Sequence, residues 1–558
     1  MKKNLLLITG LASLLLTAPA MGKEKSTITK SYGYGGEMKV LVKTDGEKIK
    51  DIELVSHKET SPVVNRAFPV IRERIIGAQS PVVDSVSGAT HTSTAIKIAV
   101  GDVMKKEGKD FGKIDRNTKA PEQPVAYLPT VKTDLLIVGS GPAGLSAAIS
   151  AREAGVKNII LIEKLDILSG NGKFDMNFFD LYNSEAQKNA GIEDSVEKFL
   201  SDKKNAKETP ERMRVQAEGA FVLDKWLRDM EIKLNHYYGN RGHMAEKDAY
   251  AGEHIQDKME EKVKALGIDV RTGTAGLDLI LDKGKVTGVK VQNKNNFYDI
   301  DAKAVILATG GFSANKELLA KYAPGGEKVA TSNQMGATGD FVKVFEKNEI
   351  PMENMDVLSV FPFIIKESRD LTGGGDGYIL VNETGKRFMN EQVQPGKSLE
   401  FAHNILNQDT FYIYDQNLYE SFYRFQKHVK LGLHKKFDTL DQMAEEMGVP
   451  VANLKNTITE FNRAVRGEIQ DPFREKPTKR EFKTEGPFYM VEVESAIHMT
   501  KGGVVANENS EVLNKDRKAI KGLYAAGEVV STSGAYSSSV VFGRSAGEKA
   551  AQFIKSSK

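Results

Sequence analysis

Gly139, Gly141 and Gly144 stand at the spacing Gly-x-Gly-x-x-Gly, directly after the apolar run 134–138 and directly before the helical stretch 145–154. Glu163 closes the next apolar run, 158–162. Glycines so placed let the backbone approach a pyrophosphate, which the positive end of the following helix attracts, and a carboxylate about twenty residues further on accepts from both hydroxyls of a ribose. The pattern is that of a dinucleotide site. Two more glycine-rich turns follow apolar runs, at Ala308-Thr309-Gly310-Gly311 and at Gly522-Leu523-Tyr524-Ala525-Ala526-Gly527-Glu528. Extra turns of this kind suit a long cofactor, so FAD is favoured over NAD. The chain has no cysteine, which excludes a disulfide, an iron–sulfur cluster, a thiolate metal site and a Cys-x-x-Cys-His haem attachment. Redox chemistry here must use an organic cofactor.

The elements that position these residues begin with a β-α-β crossover over 134–162, joined by a second buried strand at 304–307. Between 356 and 498 the composition changes to mixed helices and aromatic-rich loops, and from 499 it returns to glycine-rich strand and helix signals. The expected fold class is therefore α/β: a Rossmann-like domain made of 132–355 and 499–558, with an α+β capping domain inserted at 356–498. A small α+β unit at 31–109 precedes it, and the charged, proline-bearing stretch 110–131 reads as a linker. Residues 1–22 carry Lys2 and Lys3, an apolar run from Leu5 to Leu16 and Ala18-Pro19-Ala20, the order of a cleaved secretory signal peptide. The mature chain is then expected to be exported, periplasmic or otherwise extracytoplasmic. With 78 basic against 75 acidic side chains, there is no basic surplus to grip nucleic acid.

The segment Asp84 to Ser93 reads by itself as a polar loop capping a helix. It also resembles the Asp-x-x-Ser-Gly-Ala-Thr acceptor motif of FMN-binding domains, and that resemblance implies Thr90 as the residue to which a flavin transferase joins FMN through its phosphate. Stretches across nearly all of the mature chain resemble the exported fumarate-reductase-like flavoproteins, the group of soluble fumarate reductases and urocanate reductase. Among them are Leu161-Ile162-Glu163-Lys164, Gly170-Asn171-Gly172-Lys173 and Phe542-Gly543-Arg544-x-Ala546-Gly547-Glu548. The resemblance implies non-covalent FAD as the catalytic flavin, held by Gly139, Gly141, Ala143, Gly144, Glu163 and Lys164, by Asn171, Gly172, Thr309 and Gly310, and by Gly339, Asp340, Gly527 and Glu528. It implies hydride delivery to the C=C bond of a small unsaturated acceptor, with electrons arriving through FMN from a membrane-associated donor protein.

The family's substrate anchors are missing. Its proton-donating arginine falls at Pro395, a histidine before proline is Phe361, a histidine before Thr-x-Gly-Gly is Met499, and the arginine after Gly-Ala is replaced at Tyr536-Ser537. Arginine pairs bidentately with a carboxylate, so its loss points away from fumarate. Phe361, Met499 and Gly375 are expected at the substrate pocket, with Phe363 and Tyr378 near them in sequence. The candidates for proton donor are Tyr378, Tyr536, His498 and Lys501, and Arg369 and Arg387 are the arginines available to replace those lost. Two other functions fit the same motifs: an FAD-dependent dehydrogenase of the ketosteroid type, and an electron-carrying flavoprotein without a substrate.

Overall fold

The computed structural model describes residues 24–174, 179–202, 207–237, 239, 241–245, 249–406, 408–476, 478–532 and 534–557. The expected export signal at 1–22 lies outside the described residues. No described helix is long and apolar enough to cross a membrane. The chain divides into two compact units. The smaller comprises the residues up to Glu59 with Phe68–Ser85 and His91–Ala120; the larger comprises Thr60–Ala67, Val86–Thr90 and everything from Pro121.

The smaller unit carries a three-stranded antiparallel sheet, Lys25–Tyr32, Glu37–Thr44 and Ile49–Ser56, in sequence order. The alternation of Met38, Val40 and Val42 puts all three on the buried face, as the period of two requires. The stretch expected as a linker is ordered at its start: the buried Lys97 donates to Thr118 O at 2.6 Å and Ala120 N donates to Asp84 Oδ1 at 3.1 Å. The helix Thr90–Lys106 starts four residues earlier than the helical pattern from 94 suggests.

The larger unit is built on a nine-stranded sheet whose parallel part runs Asp269–Arg271, Ile159–Ile162, Val131–Val138, Asn296–Leu307, Ala519–Ala525. Register fixes the site. Val138 pairs with Ile162 and with Leu307, and Leu307 pairs with Ala525. All four strands therefore end in one row, which brings Gly139, Glu163, Ala308 and Ala526 side by side at the carboxyl edge, where ligands of open α/β sheets bind. The strand residues Leu135, Leu136 and Ile137 are wholly buried, as expected of a parallel sheet covered on both faces.

A second, six-stranded sheet forms the core of the capping region. Its long strand Phe488–Thr500 pairs with Thr410–Asp415, Leu358–Ile365 and the short strand Ala330–Thr331. This strand runs unbroken through positions 498 and 499, where the sequence reading put the end of the cap.

Candidate functional site

Gly139 has φ of +106° and a Cβ there would lie 2.3 Å from Ala308 O. A Cβ on Gly144 would lie 1.9 Å from Gly139 O. Only glycine fits either place, so the turn closes tightly on the helix Pro142–Glu153 and exposes bare backbone at its start. Glu163 faces this turn. Its Oε2 accepts from Ser140 N at 3.1 Å and Ser140 Oγ at 2.7 Å, and its Oε1 accepts from Leu165 N at 2.9 Å. These contacts fix the carboxylate on the cavity wall, ready for ribose hydroxyls.

A cavity of about 420 Å³ runs from this turn to the cap. Its wall includes Gly139, Gly141, Ala143, Glu163 and Lys164, then Asn171, Gly172, Thr309, Gly310 and Asp340, and on the far side of the sheet edge Gly527 and Glu528. Lys164 donates to Asp340 Oδ2 at 2.6 Å, and Asn171 Oδ1 accepts from Gln334 N at 3.0 Å. Burial pushes the Glu528 carboxyl up to about 7, against hydrogen bonds from Thr500 N and Oγ1. The residues present fit FAD: a glycine cradle at a helix start for the pyrophosphate, a fixed carboxylate for the ribose and a long cleft beyond. Gly144 and Gly339 are not on the wall; Gly144 shapes the turn from beneath.

The cap end of the same cavity is walled by Phe361, Met499, His498 and Tyr536, joined by Arg369, Asp370 and Arg424. Antiparallel pairing sets Ser359 opposite Met499 and Val360 opposite Ile497. His498 has no partner in that register. It is the extra residue of a bulge, and bulges re-aim side chains. Its Nδ1 lies 3.0 Å from Ser332 Oγ, its ring meets Phe361 edge-on at 6.0 Å, and burial with Lys501 and Arg424 nearby pulls its pKa down to about 4. His498 is thus neutral at physiological pH.

The other expected proton donors are placed differently. Tyr536 reaches the wall and its hydroxyl donates to Gly252 O at 3.4 Å. Lys501 is not on the wall; burial lowers its pKa, and Glu528 opposes that shift. Tyr378 lies in the aromatic core of the cap, stacked on Tyr412 at 4.3 Å with its hydroxyl donating to Glu391 O at 2.7 Å. Phe363 packs in the same cluster, and Gly375 sits in an exposed loop against Leu418. Neither borders the cavity. Thr90 is exposed at the first position of a 17-residue helix.

Of the two candidate replacement arginines, Arg387 is held inside the cap by Glu391 at 2.7 Å and Asp471 at 3.2 Å. Arg369 is on the wall, with φ of +63° and Nη1 donating to Asn333 O at 3.3 Å. A non-glycine residue in that region is uncommon and clusters at functional sites. Sequence reasoning missed Arg424 and Asp370. Arg424 comes from the helix Tyr423–Lys430, whose guanidinium lies 6.0 Å from the Phe361 ring and donates to Gly373 O at 3.4 Å. The sequence offers only the spacing of Arg424, Lys427 and His428 on one helical face; that all three are buried, where cations on a short helix ordinarily face water, is shown by the structure.

Residues 134–539 match the family described as the FAD binding domain, and residues 33–105 match the FMN-binding domain. The chain is 30% identical over 563 residues to the urocanate reductase of Eggerthella lenta, covering 93% of this chain and 91% of that protein. It is 29% identical over 537 residues to the NADH:fumarate oxidoreductase of Klebsiella pneumoniae, covering 92% of this chain and only 57% of that protein's length. The solved open conformation of a flavocytochrome c3 fumarate reductase is 31% identical with a TM-score of 0.67, covering 76% of this chain and 79% of that one.

Proposed function

The chain belongs to the fumarate-reductase-like flavoproteins, and from that premise we propose that it reduces the C=C bond of an enoate larger and less charged than fumarate. FAD, when bound, supplies the hydride. The reading is supported by one observation above all: the cavity that begins at the FAD cradle ends against two arginines and three apolar or aromatic side chains. Arg424 meets the substrate carboxylate with a charge-assisted pair, while an aryl or alkyl group packs on Phe361, Met499 and Tyr536. Gly534 and Ala535 bring Tyr536 to the wall with no arginine beside it.

FMN on Thr90 receives electrons from a membrane-associated donor protein after export directed by residues 1–22 and attachment by a flavin transferase. What favours this is the acceptor motif, the exposure of Thr90 and the match of residues 33–105, which include Thr90, to the FMN-binding domain. A phosphodiester tether keeps the flavin on a protein that works where no flavin is supplied.

The test is anaerobic reoxidation. Chemically reduced holoenzyme is mixed with fumarate, aryl-substituted enoates and enones, and the return of FAD absorbance is followed. With Arg424 on the first carboxylate and Arg369 donating to Asn333 O, the second carboxylate of fumarate would lie against Phe361, Met499 or Tyr536 unless Arg369 turned to meet it. Fumarate is expected to be at least about a hundredfold slower than the best aryl enoate, equivalent to about 2.7 kcal/mol of transition-state binding. Comparable rates would overturn the size and charge preference and assign Arg369 to the second carboxylate.

A further inference from the structure

We propose that Asp370 is the catalytic acid that delivers the proton in this reduction, with Tyr250 as its positioning residue; the proposal rests on the enoate-reductase reading above. Saturating a C=C bond needs a hydride at one carbon and a proton at the other. The position that carries the family's donor arginine is Pro395, which is exposed and has no N–H. Another protic group on the cavity wall must act.

The alternatives on that wall are occupied or unsuitable. His498 is neutral and held at Ser332, the hydroxyl of Tyr536 is directed to Gly252 O, Glu528 lies on the cofactor side and accepts from Thr500 N and Oγ1, Arg369 donates to Asn333 O, and Arg424 is assigned to the substrate carboxylate. Asp370 is 7% exposed and lies on the wall between Arg369 and Leu371. The bridge from Leu371 to Ile364 fixes its backbone. Tyr250, from a different part of the chain, donates its hydroxyl to Asp370 Oδ2 at 3.1 Å.

Burial pushes the Asp370 carboxyl up to about 6, the range of a working general acid near neutral pH. The groups that oppose the shift are Ser368, Tyr250 and Arg369 from its own side and Lys427 from the helix Tyr423–Lys430, which also carries Arg424. Glu253 faces Tyr250 and, with Asp370 and burial, keeps the phenol protonated and donating. In the step, the π bond of the enoate breaks. The β-carbon receives a hydride with its electron pair from reduced flavin, which is oxidised by two electrons. The remaining pair at the α-carbon takes the proton as the Asp370 O–H bond breaks. Asp370 is left as a carboxylate and regains a proton from solvent, and the product is the saturated carboxylate.

The experiment compares wild-type, Asp370→Asn and Tyr250→Phe holoenzymes by infrared titration of the protonated-carboxyl band in oxidised protein, by binding of 3-phenylpropanoate and by turnover of an aryl enoate. Wild type should show a carboxyl band that titrates at about pH 6 and is absent from Asp370→Asn. Asp370→Asn should bind 3-phenylpropanoate within about threefold of wild type and lose at least about a hundredfold in turnover. Tyr250→Phe removes a donor that favours the charged form, so its band and the high-pH limb of kcat should both move to higher pH. Asp370→Asn turning over within about threefold of wild type would overturn the proposal, as would a Tyr250→Phe enzyme in which band and limb stay in place. Should Asp370→Asn lose FAD, Tyr250→Phe alone decides. If wild type itself is reoxidised by no enoate, the enoate-reductase reading fails; if wild type turns over and Asp370→Asn does too, only the acid assignment fails.

Discussion

Arg424 is the residue on which substrate charge depends. Its guanidinium borders the cavity beside Phe361, and a charge-assisted hydrogen bond in so enclosed a place contributes about 1.5–3 kcal/mol. Arg424→Met, which keeps an unbranched stem and removes the guanidinium, should therefore raise KM for an aryl enoate about ten- to a hundredfold. The matching methyl ester, which carries no charge, should be affected far less, and equal losses for acid and ester in steady-state assays would show that Arg424 shapes the pocket without meeting the carboxylate. At this scale the sequence was uneven. Gly139, Gly144 and Glu163 were legible because each serves a local turn whose spacing is imposed by backbone geometry. Arg424, Asp370 and Tyr250 were not, because they meet through three elements that are remote in sequence. Tyr378 was placed at the substrate because it neighbours the glycine run, but it leads into the buried strand Ile379–Val381 and its ring faces the cap core.

At the scale of elements, the helix Tyr423–Lys430 and the strand Thr410–Asp415 are tied by a buried polar cluster. Thr372 Oγ1 lies 2.9 Å from His434 Nε2 and 3.2 Å from His428 Nδ1, and Tyr414 OH is 2.7 Å from His434 Nδ1. Burial, with Arg424 nearby, pulls His434 down to about 3 and His428 well below its ordinary value. Folded pKa values below the unfolded one of about 6.5 mean that the unfolded chain takes up more protons. The stability His434 contributes is complete above about pH 6.5 and is lost as pH falls toward 3. It contributes a slope of about 1.4 kcal/mol per pH unit in that window, and His428 acts in the same direction. His434→Gln should thus flatten the decline of the urea midpoint between pH 6 and 4 by about one proton's worth. Parallel slopes in the two proteins would mean that His434 is charged in the folded state. The β-α-β crossover was legible from apolar runs of fixed length, whereas this cap was read only as mixed structure, since its sheet is assembled from strands as far apart as 330 and 500.

For the whole molecule, the two flavin-binding domains imply two independent attachments. Thr90→Val should abolish covalent flavin in protein coexpressed with a flavin transferase and exported, and leave FAD binding intact, because the FAD cradle uses none of residues 84–93. The check is the mass of the denatured peptide containing residue 90: a wild-type peptide without FMN, a Thr90→Val protein that still carries covalent flavin, or FAD lost with the substitution, would contradict the assignment. One feature of the larger unit reaches across it. The strand Phe488–Thr500 has 13 residues, and at about 3.3 Å each it is a beam of roughly 40 Å. One end, Phe488, is embedded in the cap's apolar core, and the other, Thr500, is pinned to Glu528 beside the FAD cradle. Such a beam acts as a lever with its fulcrum at the pinned end. A tilt of about 10° would carry the far end roughly 7 Å while Met499 and His498, next to the fulcrum, travel about 1 Å or less. Any tilt of the strand about that pin would therefore move its distal end most and leave the reacting end of the cavity in almost constant shape.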